Sequence, residues 1–155
     1  MYNEKLLNVG DKKIAEFNFK VLHQILPCNY KLFKWKKKDC AMCKICNIEE
    51  TIEHLVFQCK YANSIWVEFG KMLDLKLELH HIVLGIQNNK PMSFFISIVA
   101  FLIYKEWLVK SMKNEERSEI PNLNVFIEDL KFKSCIYKHL GWKDITTLID
   151  KCIKR

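Results

Sequence analysis

Arginine is almost missing from this chain. Only Arg117 and Arg155 occur in 155 residues, and the other 23 of the 25 basic residues are lysines. Arginine makes the bidentate contacts that read guanine, whereas lysine meets a phosphate as a point charge. The net charge of +7 therefore favours polyanion backbones over base reading. An A/T-rich coding bias, which also enriches Asn and Ile, would explain much of the same lysine count without any ligand.

Glycine and proline are scarce as well, with four and three residues. That is too few for an all-β protein with many turns, so the composition leans helical. Half of the residues are hydrophobic, which excludes disorder and supplies a sizeable core. The first thirteen residues, MYNEKLLNVGDKK, hold no apolar region of the signal-peptide kind. Seven cysteines, an odd number, argue against a disulfide framework and for a reducing intracellular compartment, nucleus or cytoplasm. The most apolar stretch, from Phe94 to Tyr104, is too short to span a membrane and is followed at once by Lys105 and Glu106. It reads as a buried helix, and no membrane partner is expected.

Helical periodicity recurs along the chain. Ile14, Phe17, Val21, Leu22 and Ile25 predict one apolar face over 12–26, stopped by Pro27. Residues 30–37 read as a short basic helix with Asn29 as N-cap. Thr51 caps a further turn carrying Ile52, Leu55 and Val56, and Ala62, Ile65, Trp66, Phe69 and Leu73 share a face over 61–73. Residues 74–84 read as a connector. Pro91 starts a long helix through Met112, the polar run 114–122 breaks it, and two more helices are expected over 122–139 and from Asp144 onward. The expected fold is mainly α: a helical region at 12–73 containing a small knuckle whose Cys43, Cys46, His54 and Cys59 have CCHC zinc-binding spacing, then a helical tail at 82–155 packed on it.

Residues 43–59, CKICNIEETIEHLVFQC, carry the chemistry. Cys43, Cys46, His54 and Cys59 are spaced C-x2-C-x7-H-x4-C. Zn²⁺ prefers four tetrahedral Cys and His ligands, and C-x2-C suits a tight turn that aims two thiolates at one ion. Asn47 tolerates the left-handed backbone such a turn needs. Four protein ligands leave no position for a reactive water, so the site reads as structural. Three thiolates around a divalent ion leave one negative charge, which Lys44 and Lys60 stand near enough in sequence to offset. Cys40 extends the pattern to C-x2-C-x2-C and leaves open a register in which Cys40 and Cys43 form the pair. Cys135 and Cys152 read as small buried hydrophobes, and His80, His81 and His139 as solvated side chains.

Beside the cysteines, residues 31–38 read KLFKWKKK. Lys31, Lys34, Lys36, Lys37, Lys38 and nearby Lys44 offer charge, and Trp35, with Phe33, offers rings. Single-stranded nucleic acid is gripped in this way, with charges on phosphates and rings on bases. The alternative is a solvated lysine face with Leu32 and Trp35 packed inward. A second basic group, Lys131, Lys133, Lys138 and Lys143, reads as an exposed helix face.

LPCN at 26–29, the C-x2-C at 43–46, EET at 49–51, HLVFQC at 54–59 and A-x-x-x-W at 62–66 resemble the zinc-binding C-terminal region of non-LTR (LINE-type) retrotransposon reverse transcriptases. IVLG at 82–85 and FLIYKEW at 101–107 resemble the helical tail of such proteins more loosely. The resemblance implies that Cys43, Cys46, His54 and Cys59 are the ligands of one Zn²⁺ and that Trp66 is the family's aromatic. Asn47 stands where Gly is usual and Cys28 where Thr is usual, and neither change removes a ligand. It also implies RNA or single-stranded DNA as partner, with the remainder of a reverse transcriptase as a second. No Y-x-D-D motif and no clustered carboxylates for two metal ions are present, so the expectation is a non-catalytic fragment of such an enzyme.

Overall fold

The structure, a computed structural model, describes residues 10–154. Residues 1–9, within the stretch read above for a leader, and Arg155 lie outside them. Helix α1, Lys12–Leu22, begins at Asp11, whose carboxylate accepts the Lys13 and Ile14 amides. It ends earlier than expected. Gln24 takes a left-handed conformation with φ 57°, and the Ile25 amide donates back to the Lys20 carbonyl at 2.9 Å, a helix-stopping motif that acts before Pro27 is reached. Ile25 is consequently exposed rather than on the apolar face.

Helix α2, Asn29–Lys34, is capped at Cys28. Asn29 is not the cap but the first helical residue. Its amide side chain donates to the Met42 carbonyl at 3.0 Å and accepts from Lys38 Nζ at 2.7 Å, tying α2 to the cysteine turn. Helix α3, Lys60–Leu73, buries Ala62, Ile65, Trp66, Phe69 and Leu73 as its periodicity requires. A Cβ on Gly70 would come within 2.6 Å of the Leu75 carbonyl oxygen, so the chain can double back at Asp74 only over a glycine.

The presumed connector contains α4, Leu79–Leu84, a single turn and a half held by a reciprocal cap between Glu78 and His81. Helix α5, Lys90–Met112, has Pro91 in its first turn and Asn89 as its cap. Its 23 residues are long and apolar enough to cross a membrane, but most of that span is buried inside the fold. Helices α1, α4, α6 and α7 and the turn at His54–Gln58 all pack on it, so Phe94 to Tyr104 is buried almost all round. Helices α6, Leu123–His139, and α7, Lys143–Ile153, form a hairpin, and α7 also reaches α3. One apolar cluster runs without interruption from Ile14 to Cys152. No strand forms among the described residues, and the single bridge pairs Met42 with Glu49.

Two surface readings change. Cys135 is exposed, unlike Cys152. Lys133 is drawn in to Asp11 at 3.0 Å, where Tyr137 also donates to the same carboxylate at 2.8 Å.

Candidate metal centre

The cysteine turn is built by backbone geometry. The Cys43 amide donates to the Ile48 carbonyl and the Asn47 amide to the Cys43 carbonyl, both at 2.8 Å. Asn47 closes the turn with φ 55°, the left-handed geometry its short polar side chain permits. Cys43 and Cys46 are thereby brought to one side of a tight hairpin, and the Lys60 amide donates to the Cys46 sulfur at 3.5 Å.

His54 and Cys59 come from the other side. Thr51 Oγ1 accepts the His54 amide at 3.2 Å, starting a helical turn that widens to π geometry over His54–Gln58. The widening has a purpose. Five residues on an α-helix are about 140° apart around the axis, which would aim His54 and Cys59 in different directions. Here the Cys59 amide closes an i→i+5 bond on the His54 carbonyl at 2.7 Å, which brings the two side chains back to one side. Trp66 fixes the turn by donating its indole N–H to the Val56 carbonyl at 2.7 Å. Ile52, Leu55 and Val56 anchor it in the core.

The ligand atoms of Cys43, Cys46, His54 and Cys59 all lie within 4.8 Å of one another. Cys59 Sγ is 3.8 Å from Cys43 Sγ and 3.9 Å from Cys46 Sγ. Sulfurs at tetrahedral zinc with Zn–S near 2.3 Å stand about 3.8 Å apart, so these edges have the length the ion needs. His54 gives an independent test. It is buried, and neither ring nitrogen has a hydrogen-bond partner. An imidazole left without partners costs free energy, and coordination through one nitrogen supplies one of the two missing partners. The hydrogen bond to Cys59, together with burial, pushes the Cys43 thiol up to about 12. The same bond pulls Cys59 below its ordinary value against the effect of burial. The two sulfurs thus compete for protons that a divalent cation displaces on binding.

Cys40 is exposed, with its sulfur accepting the Met42 amide at 3.4 Å, and stands outside the four-residue cluster. Cys28 is fully buried and burial raises its thiol pKa; it too lies outside the cluster. Lys44 and Lys60 are exposed, and Lys44 pairs with Glu116 at 2.8 Å. A buried cation, Arg117, pairs with Glu50 at 3.5 Å and lies over the Tyr61 ring, which the sequence pattern did not indicate. It lies far along the chain in a polar run, and only its rarity set it apart.

The basic segment divides. Phe33 and Trp35 are each 48% exposed, and Lys34, Lys36 and Lys37 stand out with them. Lys34 Nζ sits 4.5 Å from the centre of the Tyr30 ring. Lys36, with φ 55°, turns the chain out of α2. Lys31 is half-buried. Lys38 is drawn inward, donating to Asn29 Oδ1 at 2.7 Å and Ser111 Oγ at 3.0 Å and lying over the Trp107 ring.

The comparison with known families agrees with this geometry. Residues 7–66 match the family described as zinc-binding in reverse transcriptase. No curated protein and no solved structure matches the chain. The match takes in all four ligands and ends at Trp66. Residues 7–66 are thus similar to the zinc-binding region of reverse transcriptases, and Cys43, Cys46, His54 and Cys59 are placed to hold one Zn²⁺.

Proposed function

We propose that the chain is a non-catalytic, zinc-stabilised nucleic-acid-binding module that assists RNA or target-DNA binding during retrotransposition by a LINE-type reverse transcriptase. The observation that carries this reading is the exposed α2 segment beside the metal centre. Phe33 and Trp35 are half-exposed among Lys34, Lys36 and Lys37, which does not fit a tryptophan packed inward beneath a solvated lysine face. Rings in that setting stack on unpaired bases while the ammonium groups follow phosphates. The metal holds the turn against which α2 is tied through Asn29 and Met42.

The reading predicts single-stranded RNA or DNA binding that weakens steeply with salt. Each phosphate contact to a single strand contributes about 0.7 to the slope of log K against log salt. Replacing Lys34, Lys36 and Lys37 together by Gln should lower the slope by roughly 2. Trp35→Ala should cost about 1–3 kcal/mol of binding at any salt. Absence of binding by zinc-loaded protein at low salt contradicts the reading.

A second reading makes the chain a protein-interaction module in which zinc is only a staple. Helix α5 is consumed by the chain's own core and offers no docking face. The feature that favours this reading instead is an exposed stripe on α6, Val125, Phe132 and Ile136, continued by Leu140. Light scattering on the purified chain distinguishes the two, since a monomer with salt-sensitive nucleic-acid binding supports the first alone.

A further inference from the structure

A half-open cleft of about 290 Å³ lies between the cysteine turn and the C-terminal end of α5. Lys38, Met42, Trp107 and Ser111 form one part of its wall, and the run 114–117 forms another. Most of the charges in this wall cancel. Lys44 pairs with Glu116 at 2.8 Å and Lys110 with Glu115 at 2.9 Å. Asp39 also lines the cleft, but it is exposed and screened by water. What remains is Lys38, Arg117 and Glu50.

These three do not balance. Glu50 is almost fully buried, with Oε2 at 3.5 Å from Arg117 Nη2 and Oε1 accepting the Asn29 amide at 3.2 Å. It supplies one negative charge, and Arg117 takes it. Lys38 is partly buried. Its Nζ donates to Asn29 Oδ1 at 2.7 Å and to Ser111 Oγ at 3.0 Å and lies over the Trp107 ring. Neither oxygen is charged. The inner wall therefore holds one positive charge in excess, where partial desolvation makes an unpaired charge costly.

Arg117 adds an unmet donor on the same wall. Its side chain is 5% exposed, and Nη1 has no hydrogen-bond partner among the described residues. The Nη2 contact at 3.5 Å is long beside the 2.7–2.9 Å or so of a charge-assisted bond. The guanidinium is thus seated loosely on Glu50 and can turn a donor towards an acceptor in the cleft. An excess charge and a spare donor together suit an anion with several acceptor oxygens.

We propose that this cleft is a phosphate-binding site, with Lys38 and Arg117 as its donors, and that it takes one backbone phosphate of a single strand held by the exposed α2 segment. Lys38 follows Lys36 and Lys37 directly in the chain, so the cleft continues the basic track inward. The assignment of the phosphate to a strand rests on the nucleic-acid reading, whereas the anion site itself does not.

The test is a titration of the zinc-loaded, isotope-labelled protein with inorganic phosphate, followed by amide NMR against chloride at matched ionic strength. Saturable shifts should fall on 38–45 and 107–117. Lys38→Gln, which keeps a hydrogen-bonding side chain without the charge, should weaken phosphate binding roughly 10- to 100-fold. Ser111→Asp leaves Lys38 and Arg117 in place and sets a carboxylate beside Lys38, so it should remove the saturable shifts even if the first variant fails to fold. In single-stranded RNA binding, Lys38→Gln should lower the salt slope by about 0.7. No saturable shift with phosphate, shifts confined to the exposed lysines of 31–37, or native phosphate affinity in either variant would overturn the proposal. Phosphate binding in the cleft without RNA binding, or with an unchanged RNA salt slope in Lys38→Gln, supports the anion site and overturns its assignment to a strand.

Discussion

The cysteine turn and the α5–α7 helices are stabilised by opposite means. Around α5 nearly every side is apolar, and Phe95, Ile98, Val99 and Ile103 are all fully buried. Between Cys40 and Cys46 the chain offers the core only Cys43, with Ile45 and Cys46 partly buried against it. What that turn has instead is a set of three sulfurs and an imidazole with no partner for either ring nitrogen. Such a region is stable when a cation joins its ligands, whereas the helical region is stable because it excludes water. The comparison teaches that the amount of apolar burial alone does not reveal how firmly a segment is held.

The largest expected effect breaks the metal side. Stripping zinc with a chelator should remove binding energy on the order of 10 kcal/mol from the turn, and replacing His54 by Ala, which leaves three sulfur ligands, a part of it. Hydrogen exchange should then show lost protection over 40–59 while α5–α7 keep most of theirs. Simultaneous loss across both would mean that the regions form one cooperative unit.

The converse experiment breaks the apolar side. Ile98→Ala should destabilise the fold by about 2–5 kcal/mol, read by denaturant unfolding, with zinc still bound one to one. A smaller effect sharpens how α1 is held against α6. Burial alone would raise the Asp11 carboxyl, but hydrogen bonds from Lys133 and Tyr137 outweigh it and hold the group below the usual aspartate range. Its folded pKa is depressed, so its contribution is present above the unfolded value, about 3.9. That contribution is lost as pH falls through the lower folded value. Asp11→Asn, which keeps a capping oxygen but loses the charged partner of Lys133, should cost about 1 kcal/mol at neutral pH and flatten the stability profile below about pH 4. The smallest expected effect is that of Cys40→Ser, which should leave zinc stoichiometry and the melting temperature unchanged.

The ligand set was legible because metal coordination imposes local spacing, and Cys43, Cys46, His54 and Cys59 lie within seventeen residues. Asn47, Thr51 and Pro91 were legible for a similar reason, since each acts on its own neighbouring backbone. Arg117 was not, because its partners Glu50 and Tyr61 are more than fifty residues away in sequence. Helix α4 was hidden by its length of six residues, too short for a periodic pattern to emerge. Asn29 misled because its Oδ1, the atom a cap would use, accepts from Lys38 Nζ while its amide donates to the Met42 carbonyl. Lys133 misled because nothing in its own helix signals that Asp11 waits across the fold.

X-ray absorption at the zinc edge of the purified, zinc-loaded protein tests the central claim most directly. One zinc per chain with three sulfurs near 2.3 Å and one imidazole nitrogen at about 2.0–2.1 Å is the predicted first shell, and His54→Ala should remove the nitrogen. A shell of four sulfurs, or one that keeps its imidazole in the His54 variant, would contradict it.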